Sequence, residues 1–579
     1  MVIYSPDLER PATACLAQSK KMPQRPIFSK APLLNVHYCF PSSGTIRSAD
    51  TKIERLYKNA NKWIDYPCLW EGLFRVACLL KNKPIEEPVY QKILTALKDT
   101  EDGSFDGTIT DQIHIARAAM SVFEYNTDRT ILKRIALWLR YLEIEFDCLS
   151  GRGTFLYQPA DLMELFVRFY RITGMKSVLR LCARLRASAF DWTTALHTFQ
   201  QSIPIRTGRN HDITFSSKPE EMDYNEKEKL INHAEMLADG IRFTLFSGIF
   251  SGHSQDLSSG RTIWSYLVRH HHALCGGTSA NPFLCGCAAD QKIYNTALAA
   301  WVEAFASQLM FHDSDWALEE LIRIVFNGLE DCISRPVIPV YQRVNSIQNE
   351  TEYDKDSAVL YARITRAVAA AYQHSVAITE QGMRIQYLIP CRILLMMQKE
   401  PVVLQIKENA VRFHCKNDFL CDIEVFTPLS ATADVNMIRE GRRISGKRND
   451  PERGHSISYH CGGRWLNEDG FDLETNQIAV CEDTHHQGVC FLAGNRLYSL
   501  KAEEGHYAFA VMHSPEIIND RITVQVQQTE KWHLKDGQPS DIPVLPETKG
   551  ENVFTELTPY AQTPDRITMF PRTRQACLK

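Results

Sequence analysis

The feature that most constrains this chain is a change of hydrophobic period near residue 376. Before it, apolar residues recur every three or four positions. After it, they fall into short β-prone runs separated by turns. A period of 3.6 and a period of 2 demand different packing layers, so the chain is expected to fold as a multidomain α + β protein. Its 579 residues also exceed what one ordinary core accommodates. Three parts are expected: an irregular Pro- and Ser-rich arm over 1–50, helical hairpins over 51–375, and a β region over 376–579.

The helical part looks repetitive. Leu162, Leu165, Phe166, Phe169 and Tyr170 share one helix face, and Gly174 follows as a stop. Val178, Leu179, Leu181, Cys182 and Leu185 then begin a second helix, which makes an αα-hairpin. Similar helix ends occur at Phe123–Asp128, Phe243–Gly248 and Leu309–Ser314. Hairpins repeated in this way suggest a solenoid or a closed α/α toroid. Beyond Ala377, runs such as Val402–Ile406, Asp422–Phe426, Gly488–Leu492 and Ile522–Val526 read as strands of an antiparallel β-sandwich. The basic stretch with Arg442, Arg443, Lys447 and Arg448 reads as a solvated loop.

Net charge is −4, with 65 basic and 69 acidic residues, so no bulk attraction to nucleic acid or anionic membrane is expected. No apolar run approaches the roughly 20 residues of a membrane span. The first 30 residues lack the apolar stretch of a secretory signal, which makes a cytoplasmic location the expectation. The 17 cysteines are therefore expected to be mostly buried, reduced thiols.

Four stretches hold polar groups that suit a pocket lined by turns and helix ends. Asp161 and Glu164 lie three apart at a helix start, where they fit either an acid/base pair or acids favoured by the helix dipole. Trp192 with Gln200 offers an aromatic face beside an amide, as sugar sites do, or simply core. His233 sits in a helical pattern and reads as a ligand-positioning group or a buried histidine. The densest stretch, Arg269–Cys287, combines three histidines, Gly276, Gly277, Cys275, Cys285 and Cys287. The glycines would let backbone approach a ligand, whereas the His and Cys spacing is not that of a standard zinc site.

In their order along the chain, these residues resemble the β-L-arabinofuranosidase-like proteins, glycoside hydrolase family 127 and relatives. The resemblance is carried by Asp161-Leu162-Met163-Glu164, Tyr170–Gly174, Asn232-His233-Ala234, Gly276-Gly277-Thr278-Ser279, Trp316, Glu319-Glu320-Leu321, Val325-Phe326-Asn327, Gly382–Pro390 and Leu557–Ala561. It implies an α/α toroid followed by β-sandwich modules. It also implies a zinc ion held by a glutamate and three cysteines, one of them the nucleophile. This chain departs from that pattern. Asn295-Thr296-Ala297 stands where a Glu-Thr-Cys motif is expected, and Asp354–Leu360 contains no cysteine. Pro282 replaces a glutamate, and Asp161 occupies a frequent histidine position. No cofactor is therefore expected, with zinc on Cys275, Cys285 or Cys287 as the alternative.

Two functions follow. One is a glycoside hydrolase acting on a plant-type or other oligosaccharide, an L-arabinofuranoside among the candidates. Its catalytic residues would be Asp161, Asp290 and His233, the last positioning substrate, with Glu164, Trp192, Gln200, Gly276, Gly277 and Tyr294 in contact with it. The other is a catalytically silent carbohydrate-binding or scaffolding relative. The expected partner is a carbohydrate, and a homodimer is compatible with either reading.

Overall fold

The computed structural model describes residues 2–3, 37–38, 47–80, 83–98, 102–149, 158–200, 224–286, 292–309, 315–345, 358–378, 382–397, 400–426, 433–445, 448–449, 458–475, 478–483, 488–501, 509–518, 521–529, 550–563 and 565–571. The helices are α1 (Arg47–Ala60), α2 (Trp70–Leu80), α3 (Lys83–Ala96), α4 (Ile109–Asn126), α5 (Arg129–Leu149), α6 (Ala160–Thr173), α7 (Lys176–Ser188) and α8 (Trp192–His197). They continue as α9 (Tyr224–Asn232), α10 (Ala234–Ser251), α11 (Ser254–His270), α12 (Asn295–Gln308), α13 (Asp315–Arg323), α14 (Glu330–Ser334) and α15 (Ala358–Gln373).

Six of these helices close a ring. Helix α2 packs on α4, α4 on α6, α6 on α10, α10 on α12, α12 on α15, and α15 returns to α2. A second set lies outside: α1, α3, α5, α7, α11 and α13 each pack on one or two members of the ring. The two sets differ in composition as their positions require. In α10 nearly every residue from Ala234 to Ile249 is buried, as a helix surrounded by neighbours must be. In α5 only Ile131, Ile135, Trp138, Leu139, Leu142, Phe146 and Leu149 are buried, a single stripe, while Ile144 faces outward.

Local signals set the helix ends. Thr108 and Asp111 form a reciprocal capping box at the start of α4, which satisfies two backbone N–H groups. Gly174 closes α6 in the left-handed conformation at φ 64°, as the sequence predicted. The ring closes through another glycine. A Cβ at Gly72 in α2 would lie 2.1 Å from Thr365 Oγ1 and 2.9 Å from the Arg366 backbone nitrogen in α15. The first and last ring helices thus approach so closely that only a missing side chain fits.

The strands form several sheets. A seven-stranded sheet runs Val2–Ile3, Cys391–Met397, Glu400–Ile406, Ala410–Cys415, Gly470–Thr475, Ala433–Arg439 and Arg442–Ser445. A six-stranded sheet runs Arg448–Asn449, Ser458–Cys461, Asp422–Phe426, Gly382–Ile385, Val376–Ile378 and His37–Tyr38. A nine-stranded sheet spans Ala479 to Pro571. Pairing is antiparallel except where Asp422–Val425 runs parallel to Gly382–Ile385. Two results differ from the sequence reading. The stretch read as an irregular arm supplies edge strands, with Val2 opposite Met396 and His37 opposite Ile378. The Arg442–Ser445 stretch, read as loop, pairs with Asn436–Arg439 as a hairpin strand. The first two sheets share one apolar core with the helices, whereas Val489, Phe491, Leu500, Val524 and Phe570 of the nine-stranded sheet form a second core. Arg566 joins the two, with a bidentate ion pair to Asp331 at 3.0 and 3.1 Å and its guanidinium 3.5 Å above the Tyr560 ring.

If the Gly72 contact closes the ring, Gly72→Ala should destabilise the chain by at least about 1–3 kcal/mol, the usual cost of overpacking. Thermal unfolding followed by circular dichroism reads this directly. A variant that melts with the wild type would contradict the packing described.

Candidate functional site

All six ring helices send charged side chains to the axis. Helix α2 contributes Glu71 and Arg75, α4 Arg117 and Glu124, α6 Asp161, Glu164 and Arg168. Helix α10 adds Glu235, Asp239 and Arg242, α12 Glu303, and α15 Arg363 and Arg366. Ion pairs connect them without a break. Arg117 reaches Glu71 at 2.7 Å, Asp161 at 2.6 Å and Glu164 at 3.3 Å. Arg242 meets Asp161 at 2.9 Å and Asp239 at 3.0 Å, and also pairs with Glu164. Arg363 joins Glu235 at 3.0 Å, Asp239 at 2.5 Å and Glu303 at 2.9 Å. Arg366 bridges Asp161 and Glu303, each at 2.9 Å. Charges taken out of water this completely are tolerable only when each has partners in good geometry.

The network is unevenly balanced. Six guanidiniums face seven carboxyls, so full ionisation leaves one negative charge in excess. The carboxyls do not share that excess equally. Burial raises the Asp161 and Glu164 carboxyls, but the guanidiniums around them win. Asp161 is held well below the usual carboxylate range by Arg117, Arg366 and Arg242. Glu164 is brought down to about 2 by Arg117, Arg242 and Arg168. Glu235 goes the other way. Burial raises its pKa and the neighbouring Asp239 charge adds to the effect, while Arg363 only partly compensates. Two carboxyls in first helical turns, Asp161 of α6 and Glu235 of α10, are thereby driven apart in proton affinity.

Asp161 and Glu164, read as an acid/base pair, are thus fixed as anions by neighbouring guanidiniums, and neither carries a proton to donate near neutral pH. Between the pairs the axis leaves a cavity of about 60 Å³, bounded by Glu71, Arg117, Glu164, Arg242, Glu303 and Arg366. A water molecule takes about 30 Å³ of liquid, so this space suits water rather than a sugar ring. The end of the ring where α6 and α10 begin carries Asp161 and Glu235 in the first helical turns.

His233 stands at that end as the N-cap of α10, its Nδ1 accepting the Met236 backbone N–H at 3.4 Å. Its ring meets Phe283 and Tyr294 edge-on, at centroid distances of 5.4 and 6.3 Å. Burial lowers its pKa to about 4, so the imidazole is neutral at pH 7. Tyr294 immediately precedes α12 and packs on Tyr341. The structure thus brings His233 and Tyr294 together.

Other expected contacts lie elsewhere. Trp192 is core, not a sugar platform: it is 1% exposed, and its ring fills the space a Cβ on Gly240 would need, 2.4 Å away. Gly276 and Gly277, at φ 93° and 74°, fold a tight turn against protein. A Cβ on Gly276 would strike Ile324 at 2.6 Å, and one on Gly277 would sit 3.3 Å from Trp301. Their role is close packing, not backbone approach to a ligand. Gln200 is exposed beyond α8. Asp290 and Cys287 lie outside the described residues.

The residues present do not fit the zinc site that the family resemblance implies. Cys275 is fully buried beside Tyr560 and Arg566, and burial pushes its thiol up to about 12. The Cys285 thiol donates to the Phe283 carbonyl at 3.3 Å. Asn295, in the expected glutamate position, donates to the Pro339 carbonyl at 2.7 Å and accepts from Gln342. Among the described residues, no three His, Cys, Asp or Glu side chains converge as metal ligands.

Sequence reasoning missed two groups. Glu235 follows the quoted Asn232-His233-Ala234 stretch but was given no role. His114 in α4 lies within the field of Asp161, Arg366, Arg117 and Arg363, and burial lowers its pKa to about 4. The available signal was His114 and Arg117 three apart within the Ile113–Met120 stretch, which is otherwise apolar.

These shifts set a pH dependence. His114, His233 and His374 each have a folded pKa of about 4, against about 6.5 when unfolded. Unfolding therefore takes up protons between these values, and stability is lost as pH falls from about 6.5 to 4. The raised Glu235 opposes this with one group against three. Below about 4.5 the lowered Glu164 and Asp161 withdraw stability as well. The urea midpoint should fall steadily from pH 7 to pH 4. A constant or rising midpoint would contradict the buried, neutral histidines.

No protein-family model matches the chain, and no curated protein matches it. Solved structures do. A protein described as a glycoside hydrolase superposes with a TM-score of 0.67 over 93% of this chain and 96% of its own, at 12% identity. A GH127 β-arabinofuranosidase gives 0.61 over 95% and 99%, also at 12% identity. A GH127 β-L-arabinofuranosidase from Geobacillus stearothermophilus T6 gives 0.62 over 90% and 94%, again at 12%. Over nearly its whole length, this chain has the fold of the GH127 β-L-arabinofuranosidases.

Proposed function

We propose that the chain is a glycoside-hydrolase-like protein that takes an oligosaccharide at the end of the ring where α6 and α10 begin. The observation that carries this reading is the opposed pair of carboxyls: Glu235 shifted toward its protonated form and Asp161 held ionised. Glycoside hydrolysis needs one carboxyl that still holds a proton and one that has lost it. Glu235 would donate to the departing glycosidic oxygen. The Asp161 carboxylate would oppose the positive charge that develops at the anomeric carbon. Asp290 belongs to the same proposal as a further carboxylate, activating water. His233 and Tyr294 would seat the sugar, the neutral imidazole by hydrogen bonding and the phenol ring by its apolar face. An L-arabinofuranoside is the first substrate to try, because it is what the structurally similar enzymes are named for.

One observation favours a second reading. Asp161 is paired with three guanidiniums, which lowers its basicity and occupies its oxygens. A protein arranged this way can bind sugar without cleaving it.

A panel of aryl glycosides, starting with arabinofuranosides, separates the two. Turnover by the wild type, with kcat reduced about 10²–10⁴-fold in Glu235→Gln and KM little changed, is the expected result. Sugar binding by calorimetry without turnover would replace the first reading with the second. Neither binding nor turnover with any sugar would remove both.

A further inference from the structure

A much larger cavity lies away from the axis, where the ring meets the seven-stranded sheet. Its volume is about 560 Å³. It is a partly open cleft rather than a sealed void. It falls within the roughly 300–1,000 Å³ range of small-molecule sites, which favour boundaries between structural units.

Val325, Phe326, Leu329, Ile333, Val368 and Ile389 supply an apolar part of its lining. Three of these belong to a π-helical turn, Ile324–Leu329, inserted between α13 and α14. Such wide turns cost regular hydrogen bonding and occur often at functional sites. An apolar ligand body laid against these side chains is removed from water, which favours its binding. Helix α15 serves both places with different residues, Arg363 and Arg366 for the axis and Val368 for this cavity.

The rim is charged and asymmetric. Lys52 pairs with Glu330 at 3.1 Å, Arg496 with Glu330 at 2.7 Å, and Arg496 with Glu408 at 3.5 Å. That chain is self-neutral. Lys407 also lines the cavity, is exposed, and makes no ion pair among the described residues. The opening therefore carries one uncompensated positive charge beside the apolar part of the lining. We propose that this cavity is a binding site for a small anionic amphiphile, a monocarboxylate with an aliphatic or aryl body, its body against the π-helical turn and its carboxylate at Lys407. This proposal is independent of the reading of the ring axis.

Isothermal titration of the full chain with decanoate tests it, with 1-decanol as the neutral control. One decanoate should bind per chain, and the alcohol should bind at least about fivefold more weakly. Lys407→Glu, a change on the exposed rim, should weaken decanoate by a similar factor and leave the alcohol unaffected. Ile389→Trp, which fills the chamber from a loop, should abolish both. No decanoate binding at about 1 mM would overturn the proposal. So would equal affinity for the alcohol, or undiminished binding by Lys407→Glu. Should Ile389→Trp fail to fold, the Lys407→Glu comparison alone decides.

Discussion

The rest of the structure depends on the ion-pair network at the ring axis. Six helices that are apolar on most of their surface would otherwise meet around a central gap. Here the gap is filled by guanidiniums and carboxyls that satisfy one another, and each ring helix supplies at least one of them. Desolvating so many charges is costly, and removing one partner leaves the others unpaired, so the network fixes helix register as much as it adds stability. The acids sit in the first helical turns at Asp161 and Glu235, where the helix dipole favours negative charge. The arginines Arg168, Arg242 and Arg366 lie about two turns further along α6, α10 and α15.

This arrangement links fold to chemistry. Full ionisation leaves one surplus carboxyl charge in the network, which favours proton retention at the carboxyl whose pKa is raised. Glu235 has the environment for this, with a like charge at Asp239, deep burial and Arg363 as its partner. The resulting contrast with Asp161 arises without a metal or a thiolate. Of the described cysteines, most are buried, while Cys148 is exposed and Cys68, Cys285 and Cys415 are half-buried. Cys78, Cys182, Cys275, Cys332, Cys391, Cys421, Cys461 and Cys490 are all buried.

The helical hairpins and their ends were legible because burial imposes a period on the sequence. The α6–α7 hairpin around Gly174 was placed correctly for that reason. The axis was not legible. Asp239 and Arg242, or Asp161 and Glu164, are three apart, a spacing that also marks a solvated surface, and only ring closure turns these faces inward. Trp192 misled in the opposite sense: its polar neighbours suggested a ligand face, but Gly240 opens a slot for its ring, and that pairing is invisible without the fold. Edge strands contributed by residues 2–3 and 37–38 were missed because two-residue strands carry no period. The cavity at the π-helical turn was equally hidden, since Val325-Phe326-Asn327 reads as ordinary helix.

Glu235 is expected to give up its proton at a higher pH than Asp161. Infrared difference titration of the carboxyl bands, comparing wild type with Glu235→Gln, measures this directly. The wild type should show one protonated carboxyl band that titrates above the ordinary glutamate value of 4.5 and is absent from the variant. Identical carboxyl titrations of wild type and variant above pH 4.5, or a band that survives the substitution, would contradict it.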